Sequence, residues 1–170
     1  YVSDREIYPD GIELAVSRKN IIVLHTFSKI YSLAGLRIGY ALAHEETISF
    51  LGRIKAPFNV TRPAQAAAMT SLENEDFKNE SIKLNSKNKQ RLFKQLQELG
   101  LRVIPSEANF LLFFPGVEIA ALNEKLLQDG IIIRPLDGFG VPNGMRVTVG
   151  LAEENDYFIE KLRKNLQEMR

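Results

Sequence analysis

Residues 21–27 read IIVLHTF, an apolar and largely β-branched run that stops abruptly at Ser28-Lys29. Arg18-Lys19-Asn20 bound it on the other side. A run this short with both faces apolar predicts a buried strand of the parallel kind, because a strand covered on both sides has no reason to alternate. Such a strand needs helices to cover it, and the chain supplies them. Residues 38–43 (IGYALA) read as a second strand after a turn at Gly35. Residues 45–55 have helical spacing through Ile48, Leu51 and Ile54, with acids in the first turn, and Pro57 stops the helix.

Residues 63–99 favour helix by composition, Ala-rich at first and then Lys/Gln/Leu-rich, with a break near Asn74-Glu75-Asp76. The change of character there places a domain boundary, giving units 1–75 and 76–170. Beyond Gly100 the pattern predicts strands at 101–104 and 109–114, a helix at 118–128 and a strand at 131–134. A Gly/Pro loop (137–144), a strand (145–149) and a final helix (153–168) follow. Gly130 stands where a helix C-cap belongs. The second half is therefore expected to be an α+β module, its small sheet covered by helices on one side.

Composition narrows the chemistry. The chain has 170 residues and no cysteine, which removes disulfide frameworks, thiolate nucleophiles and Cys-based zinc sites. Its carboxylates show no metal-ligand spacing, so no metal is expected. With 22 basic and 21 acidic residues the formal charge is +1, which offers nucleic acid or an anionic membrane no electrostatic footing. No apolar run approaches the ~20 residues of a membrane span. The chain opens Tyr1-Val2-Ser3-Asp4 without an initiator Met, as a piece of a longer protein would.

The informative segment is 26–40, TFSKIYSLAGLRIGY. Lys29 leaves an apolar strand, an origin expected to desolvate its amine and favour the neutral form that condenses with an aldehyde. Thr26 and Ser28 add hydroxyls, and Arg37 adds a planar guanidinium suited to phosphate. Gly35 is expected to let the chain turn back toward a ligand. Aldehyde capture and phosphate grip in one short loop suit pyridoxal phosphate. His25 is expected as a packed core side chain, His44 as an exposed helix start, and Phe110, Phe113 and Phe114 as core. The lysines and glutamines from Lys83 to Gln97 read as a solvated helix face.

Ser28-Lys29 followed eight residues on by Arg37, within Gly-Leu-Arg-Ile-Gly-Tyr, resembles the cofactor-lysine motif of fold-type I aminotransferases. The resemblance implies a fold: the end of a large α/β domain that binds pyridoxal phosphate, followed by a small α+β domain. It also implies roles. Lys29 is the catalytic lysine that holds the cofactor covalently, and Arg37 binds the cofactor phosphate. Ser28 and Thr26 match hydroxyl positions near that phosphate. Tyr1, 28 residues before Lys29, matches a tyrosine on the cofactor's phenolic oxygen.

The resemblance continues through Phe58-Asn59-Val60, Pro63–Ala68 (PAQAAA), Pro105–Phe110 (PSEANF), Gly130–Pro135 (GIIIRP) and Met145–Gly150 (MRVTVG), and narrows to the histidinol-phosphate aminotransferase group. There Arg146 matches the arginine that grips an amino acid's α-carboxylate. Arg134 matches a position near the substrate phosphate or carboxylate, and Asn109 a substrate contact. The implied reaction is transamination of histidinol phosphate with 2-oxoglutarate or glutamate in histidine biosynthesis, by a cytoplasmic homodimer with small-molecule substrates. An aromatic amino-acid aminotransferase and a related decarboxylase of phosphate substrates are the alternatives. A chain natively this short would instead be a non-enzymatic fragment.

Overall fold

A computed structural model describes residues 10–170. These divide into two compact units, the division falling between Ile82 and Lys83.

Among the described residues, the first element of this unit is a helix that the sequence pattern does not announce, α1 (Gly11–Ser17). Asp10 caps it, its carboxylate accepting the Ile12 N–H at 2.8 Å. Strands β1 (Ile22–Thr26) and β2 (Gly39–Ala43) follow. They pair antiparallel, from Ile22 opposite Ala43 to Thr26 opposite Gly39, which corrects the parallel expectation. The burial expectation is corrected too. Leu24 is 77% exposed and only Val23 of β1 is partly covered. Apolar composition states what a strand tends to bury, not what lies against it. Here α1 comes close, since a Cβ added at Gly11 would sit 3.3 Å from both Val23 methyls.

Helix α2 (Glu45–Ile54) starts at His44, whose ring nitrogen accepts the Glu46 N–H at 3.3 Å. His44 is thus a half-buried cap rather than an exposed helix start. Helix α3 (Arg62–Glu73) is capped by Thr61, which accepts from the Ala64 N–H. Asn74 ends α3, and its side-chain oxygen accepts the Phe77 N–H at 3.1 Å, opening α4 (Glu75–Glu98). The break falls where the composition placed it.

In the second unit β3 (Arg102–Ile104), β4 (Phe110–Phe114), β5 (Arg134–Pro135) and β6 (Met145–Thr148) form one antiparallel sheet in the order β3-β4-β6-β5. Helices α5 (Ile119–Gln128) and α6 (Ala152–Met169) join α4 on one face. Leu92 and Leu96 of α4, Leu122 and Leu126 of α5, and Leu162 and Phe158 of α6 meet Leu111, Phe113, Met145 and Val147 of the strands. Fully burying a side chain of this size is worth about 1.5–3 kcal/mol. Strand alternation sends Phe110, Leu112, Phe114 and Arg146 to the other face, where they are half-buried. Of the three phenylalanines expected in the core, only Phe113 is there.

The expected strand at 131–134 is shorter than its composition suggests. Gly130 turns left-handed (φ 77°), and the Ile131 N–H returns to the Leu126 carbonyl at 2.8 Å, closing α5. That commits Ile131 to the core, and ladder pairing begins only at Arg134.

Gly150, at the exit of β6, leaves room for a side-chain carboxylate. A Cβ there would lie 2.5 Å from a carboxylate oxygen of Glu154 and 3.2 Å from its Cβ. The same oxygen accepts the Leu151 N–H at 2.7 Å at the start of α6. Gly150→Ala is expected to displace that carboxylate and lose the cap, costing about 0.5–2 kcal/mol. A denaturant titration of the full-length protein checks this, and an unchanged midpoint would show that Glu154 relocates without loss.

Candidate active site

The first unit carries its candidate groups on one loop between β1 and β2. The Phe27 N–H donates to the Ile38 carbonyl at 3.2 Å and closes the base of the loop. The Leu33 N–H returns to the Phe27 carbonyl at 3.0 Å, and the Ser32 N–H reaches the Lys29 carbonyl at 2.9 Å. Lys29 thus sits in a tight turn hung from the end of a strand. The Thr26 hydroxyl oxygen accepts the Ser28 N–H at 3.0 Å, so Thr26 shapes the turn. Ser32 and Arg37 adopt left-handed backbone at φ 57° and 53°. Non-glycine residues hold this conformation only where their surroundings impose it.

Two expectations about this loop change. Gly35 has ordinary φ, and an added Cβ would meet nothing within 4 Å, so the reversal is made by Ser32 and Arg37. The glycine that matters sterically is Gly39, where a Cβ would lie 2.6 Å from the His25 carbonyl oxygen. Lys29 is also exposed rather than desolvated, because β1 itself is largely uncovered among the described residues. His25 is likewise exposed. It stacks on Tyr40, its partner across the ribbon, with centroids 5.1 Å apart and planes 8° from parallel. Phe27 packs against Tyr31 and Tyr40 beneath the loop. Burial, with a smaller push from Tyr31, raises the Tyr40 phenol above its ordinary value.

This donor set fits a phosphorylated aldehyde. It offers one primary amine, the Ser28 hydroxyl and one guanidinium within a single loop. Arg37 donates to the Ala34 carbonyl, which orients its side chain at a cost of one of its five donors. Arg37→Ala in the full-length protein is expected to weaken cofactor retention about tenfold or more, since a hydrogen bond to a charged group is worth roughly 1.5–3 kcal/mol. Its exposure implies little change in folding stability. Cofactor affinity followed by absorbance, beside a thermal melt, checks both, and unchanged affinity would count against the phosphate role. Tyr1 lies outside the described residues.

The second unit carries Asn109, Arg134 and Arg146. The ladder sets Arg134 directly opposite Arg146. Like charges opposed across strands are unfavourable by roughly 0.2–1 kcal/mol, and an anion between them removes the penalty. Neither guanidinium has a carboxylate partner among the described residues. Each rests instead on a ring: Arg146 over Phe110 at 5.2 Å and Arg134 over Phe139 at 5.7 Å. Stacking fixes the plane of a guanidinium and leaves its edge donors available to a carboxylate or phosphate. Arg146 is half-buried and Arg134 exposed. Asn109 stands at the entry of β4, its carbonyl accepting the Val149 N–H at 2.9 Å.

The two supporting rings escaped the sequence reading. Phe110 was expected in the core, and only the pairing of β4 with β6 reveals what it supports. Among the described residues no group of three or more His, Cys, Asp or Glu could hold a metal ion, and no helix is long and apolar enough to cross a membrane.

The family model for aminotransferase class I and II matches residues 3–162. A histidinol-phosphate aminotransferase of Pseudomonas fluorescens is 43% identical over 158 residues, which are 93% of this chain and 43% of that protein. One of Caldicellulosiruptor saccharolyticus is 43% identical over 98% of this chain and 46% of its own length. The crystal structure of the Sinorhizobium meliloti histidinol-phosphate aminotransferase, solved with pyridoxal-5'-phosphate, superposes with a TM-score of 0.83 at 29% identity, over 94% of this chain and 44% of that one. This chain therefore spans less than half the length of these relatives.

Proposed function

Because the chain belongs to the aminotransferase class I and II family, we propose that it forms the lysine- and arginine-bearing part of an enzyme that transaminates histidinol phosphate with 2-oxoglutarate. The single observation that carries this reading is the β1–β2 loop, which joins Lys29, Ser28 and Arg37 in one closed turn. Its substrate side is supported by the opposed pair Arg134 and Arg146, and its specificity by the likeness to histidinol-phosphate aminotransferases over nearly the whole chain.

Bound pyridoxal phosphate supplies the electron sink for charge developing at the substrate's α-carbon. This chain's residues do the rest. Lys29 holds the cofactor aldehyde between turnovers. Its amine, with its place taken by the substrate amine, would carry the proton from the substrate's α-carbon to the cofactor's aldehyde carbon, and back in the other half-reaction. Arg37 and Ser28 would bind the cofactor phosphate, with Thr26 keeping the turn in shape, and the family resemblance assigns Tyr1 to the cofactor's phenolic oxygen. Arg146 binds the α-carboxylate of glutamate through a bidentate pair. Arg134 binds the phosphate of the other substrate, and Asn109 makes a further substrate contact. In domain terms residues 1–75 complete the cofactor domain and 76–170 form the small domain. The whole enzyme acts as a cytoplasmic homodimer on small molecules, without nucleic acid or membrane.

The test is a comparison of amino donors. Full-length protein loaded with pyridoxal phosphate should turn over histidinol phosphate with 2-oxoglutarate far faster than phenylalanine or tyrosine. Faster turnover of the aromatic amino acids would replace this reading with that of an aromatic aminotransferase. Release of carbon dioxide from a phosphorylated amino acid would replace it with a decarboxylase. An intact mass of this chain's own length in the native source would rule out an enzyme.

A further inference from the structure

Helix α4 buries two asparagines, Asn85 and Asn88, at 8% and 4% exposure. They continue the stripe that Leu92 and Leu96 present to the core, at helical spacing. Asparagine is a weaker helix former than leucine and buries less apolar surface, so core filling alone does not account for it there. Both amides instead reach backbone carbonyls at one end of the sheet. Asn85 donates to the Ala108 carbonyl at 3.4 Å, immediately before Asn109. Asn88 donates to the Gly150 carbonyl at 2.9 Å, two residues past the end of β6.

Gly150 is held from the other side as well. Asn155 of α6 donates to the same carbonyl at 3.0 Å and accepts the Gly150 N–H at 3.0 Å. One donor is enough to satisfy a carbonyl; two donors from two helices fix where it sits. The Val149 N–H to Asn109 carbonyl bond ties the two anchored segments to each other. One step inward Phe110 pairs with Thr148, and the Phe110 ring lies against the Arg146 guanidinium. The line from helix amides to substrate arginine is therefore short and made entirely of bonded or packed groups.

We propose that Asn88, with Asn85 and Asn155, is a positioning residue for Arg146: the three amides clamp the open end of β4 and β6 and so set the Phe110 ring that orients the guanidinium toward a substrate carboxylate. This rests on the carboxylate role assigned to Arg146 above. Without the Asn88 amide the Gly150 carbonyl keeps one donor, so the sheet survives while its end loses its fixed place.

The test uses full-length protein loaded with pyridoxal phosphate and calorimetric titration with a dicarboxylate that has no amino or keto group. Asn88→Ala should weaken dicarboxylate binding about three- to tenfold, the range of a net hydrogen bond, with cofactor affinity as in the parent. Asn88→Ser, which keeps a hydroxyl donor and buries no charge, should recover part of the loss and serves if the alanine variant does not fold. In an Arg146→Ala background, Asn88→Ala should weaken dicarboxylate binding no further, because coupled residues are non-additive. An additive loss in that background, an equal loss of cofactor and dicarboxylate affinity, or no loss at all would overturn the inference and leave the role of Arg146 standing. If Arg146→Ala itself left dicarboxylate affinity unchanged, the carboxylate role would fall and the positioning role with it.

Discussion

Lys29→Ala in the full-length protein is expected to stop steady-state transamination while leaving the fold intact. The side chain is exposed and hangs in a turn held by backbone bonds, the Ser32 N–H to the Lys29 carbonyl and the Leu33 N–H to the Phe27 carbonyl. None of these involves the amine. Exposed side chains without structural partners change stability by about 0.5 kcal/mol or less, so lost activity cannot be blamed on unfolding. On the role proposed for Lys29 the chemical loss would have two sources, the covalent hold on the cofactor and the proton transfer from the α-carbon. Proton transfer by a positioned group alone contributes about 10²–10⁴-fold. Lys29→Arg should be as inactive, because a guanidinium stays charged and does not condense with an aldehyde. Borohydride reduction of the wild-type holoenzyme followed by peptide mapping should attach the cofactor to Lys29. A label on another lysine, or wild-type rates from Lys29→Ala, would end the assignment.

The second large effect is expected at Arg146, and it should be unequal between substrates. Glutamate carries carboxylates and histidinol phosphate carries none. Arg146→Ala should lower kcat/KM of the glutamate half-reaction by roughly 30-fold to several thousand-fold, the 2–5 kcal/mol of truncating one partner of a buried charge pair. The histidinol phosphate half-reaction should suffer less. Arg134→Ala should show the reverse preference with a smaller loss, since Arg134 is exposed and water competes for its contacts. Arg146→Lys should restore the charge without the planar pair of donors, and so recover only part of the rate. Single-turnover absorbance changes follow each half-reaction separately. Equal slowing of both halves by both substitutions would refute the division of labour.

Much of this molecule was legible before any coordinates. The long helix α4 and the break before it near Asn74 followed from composition, which is local, and the structure adds that the Asn74 side chain caps its start. The helix-covered sheet of the second half followed from the order of apolar runs, helical stretches and Gly/Pro breaks, although the faces of its strands did not. The loop from Thr26 to Gly39 stood out because amine, hydroxyl and guanidinium fall within so few residues that any fold keeps them near one another.

Where the reading strayed, the reason was distance along the chain. Whether β1 pairs parallel or antiparallel, and what covers Leu24 and His25, depends on neighbours that an apolar run does not name. Gly35 looked like the hinge because glycine permits a turn, yet Ser32 and Arg37 take the left-handed conformations. Permission is a property of the residue, whereas use depends on how the loop closes. The same limit applies to Asn85 and Asn88 of α4, whose carbonyl partners lie 23 and 62 residues away, where no local pattern names them.

By itself, then, the sequence determined what local chemistry can determine: most of the helices and strands in their order, the break at Asn74, and the cluster of reactive groups around Lys29. Only the tertiary structure decided that Arg134 lies opposite Arg146, that Phe110 supports a guanidinium instead of filling the core, and that buried amides hold the end of the sheet. Those outcomes rest on strand register and helix packing, where a shift of one residue moves every side chain to the other face, and register is settled by the whole sheet closing on its core.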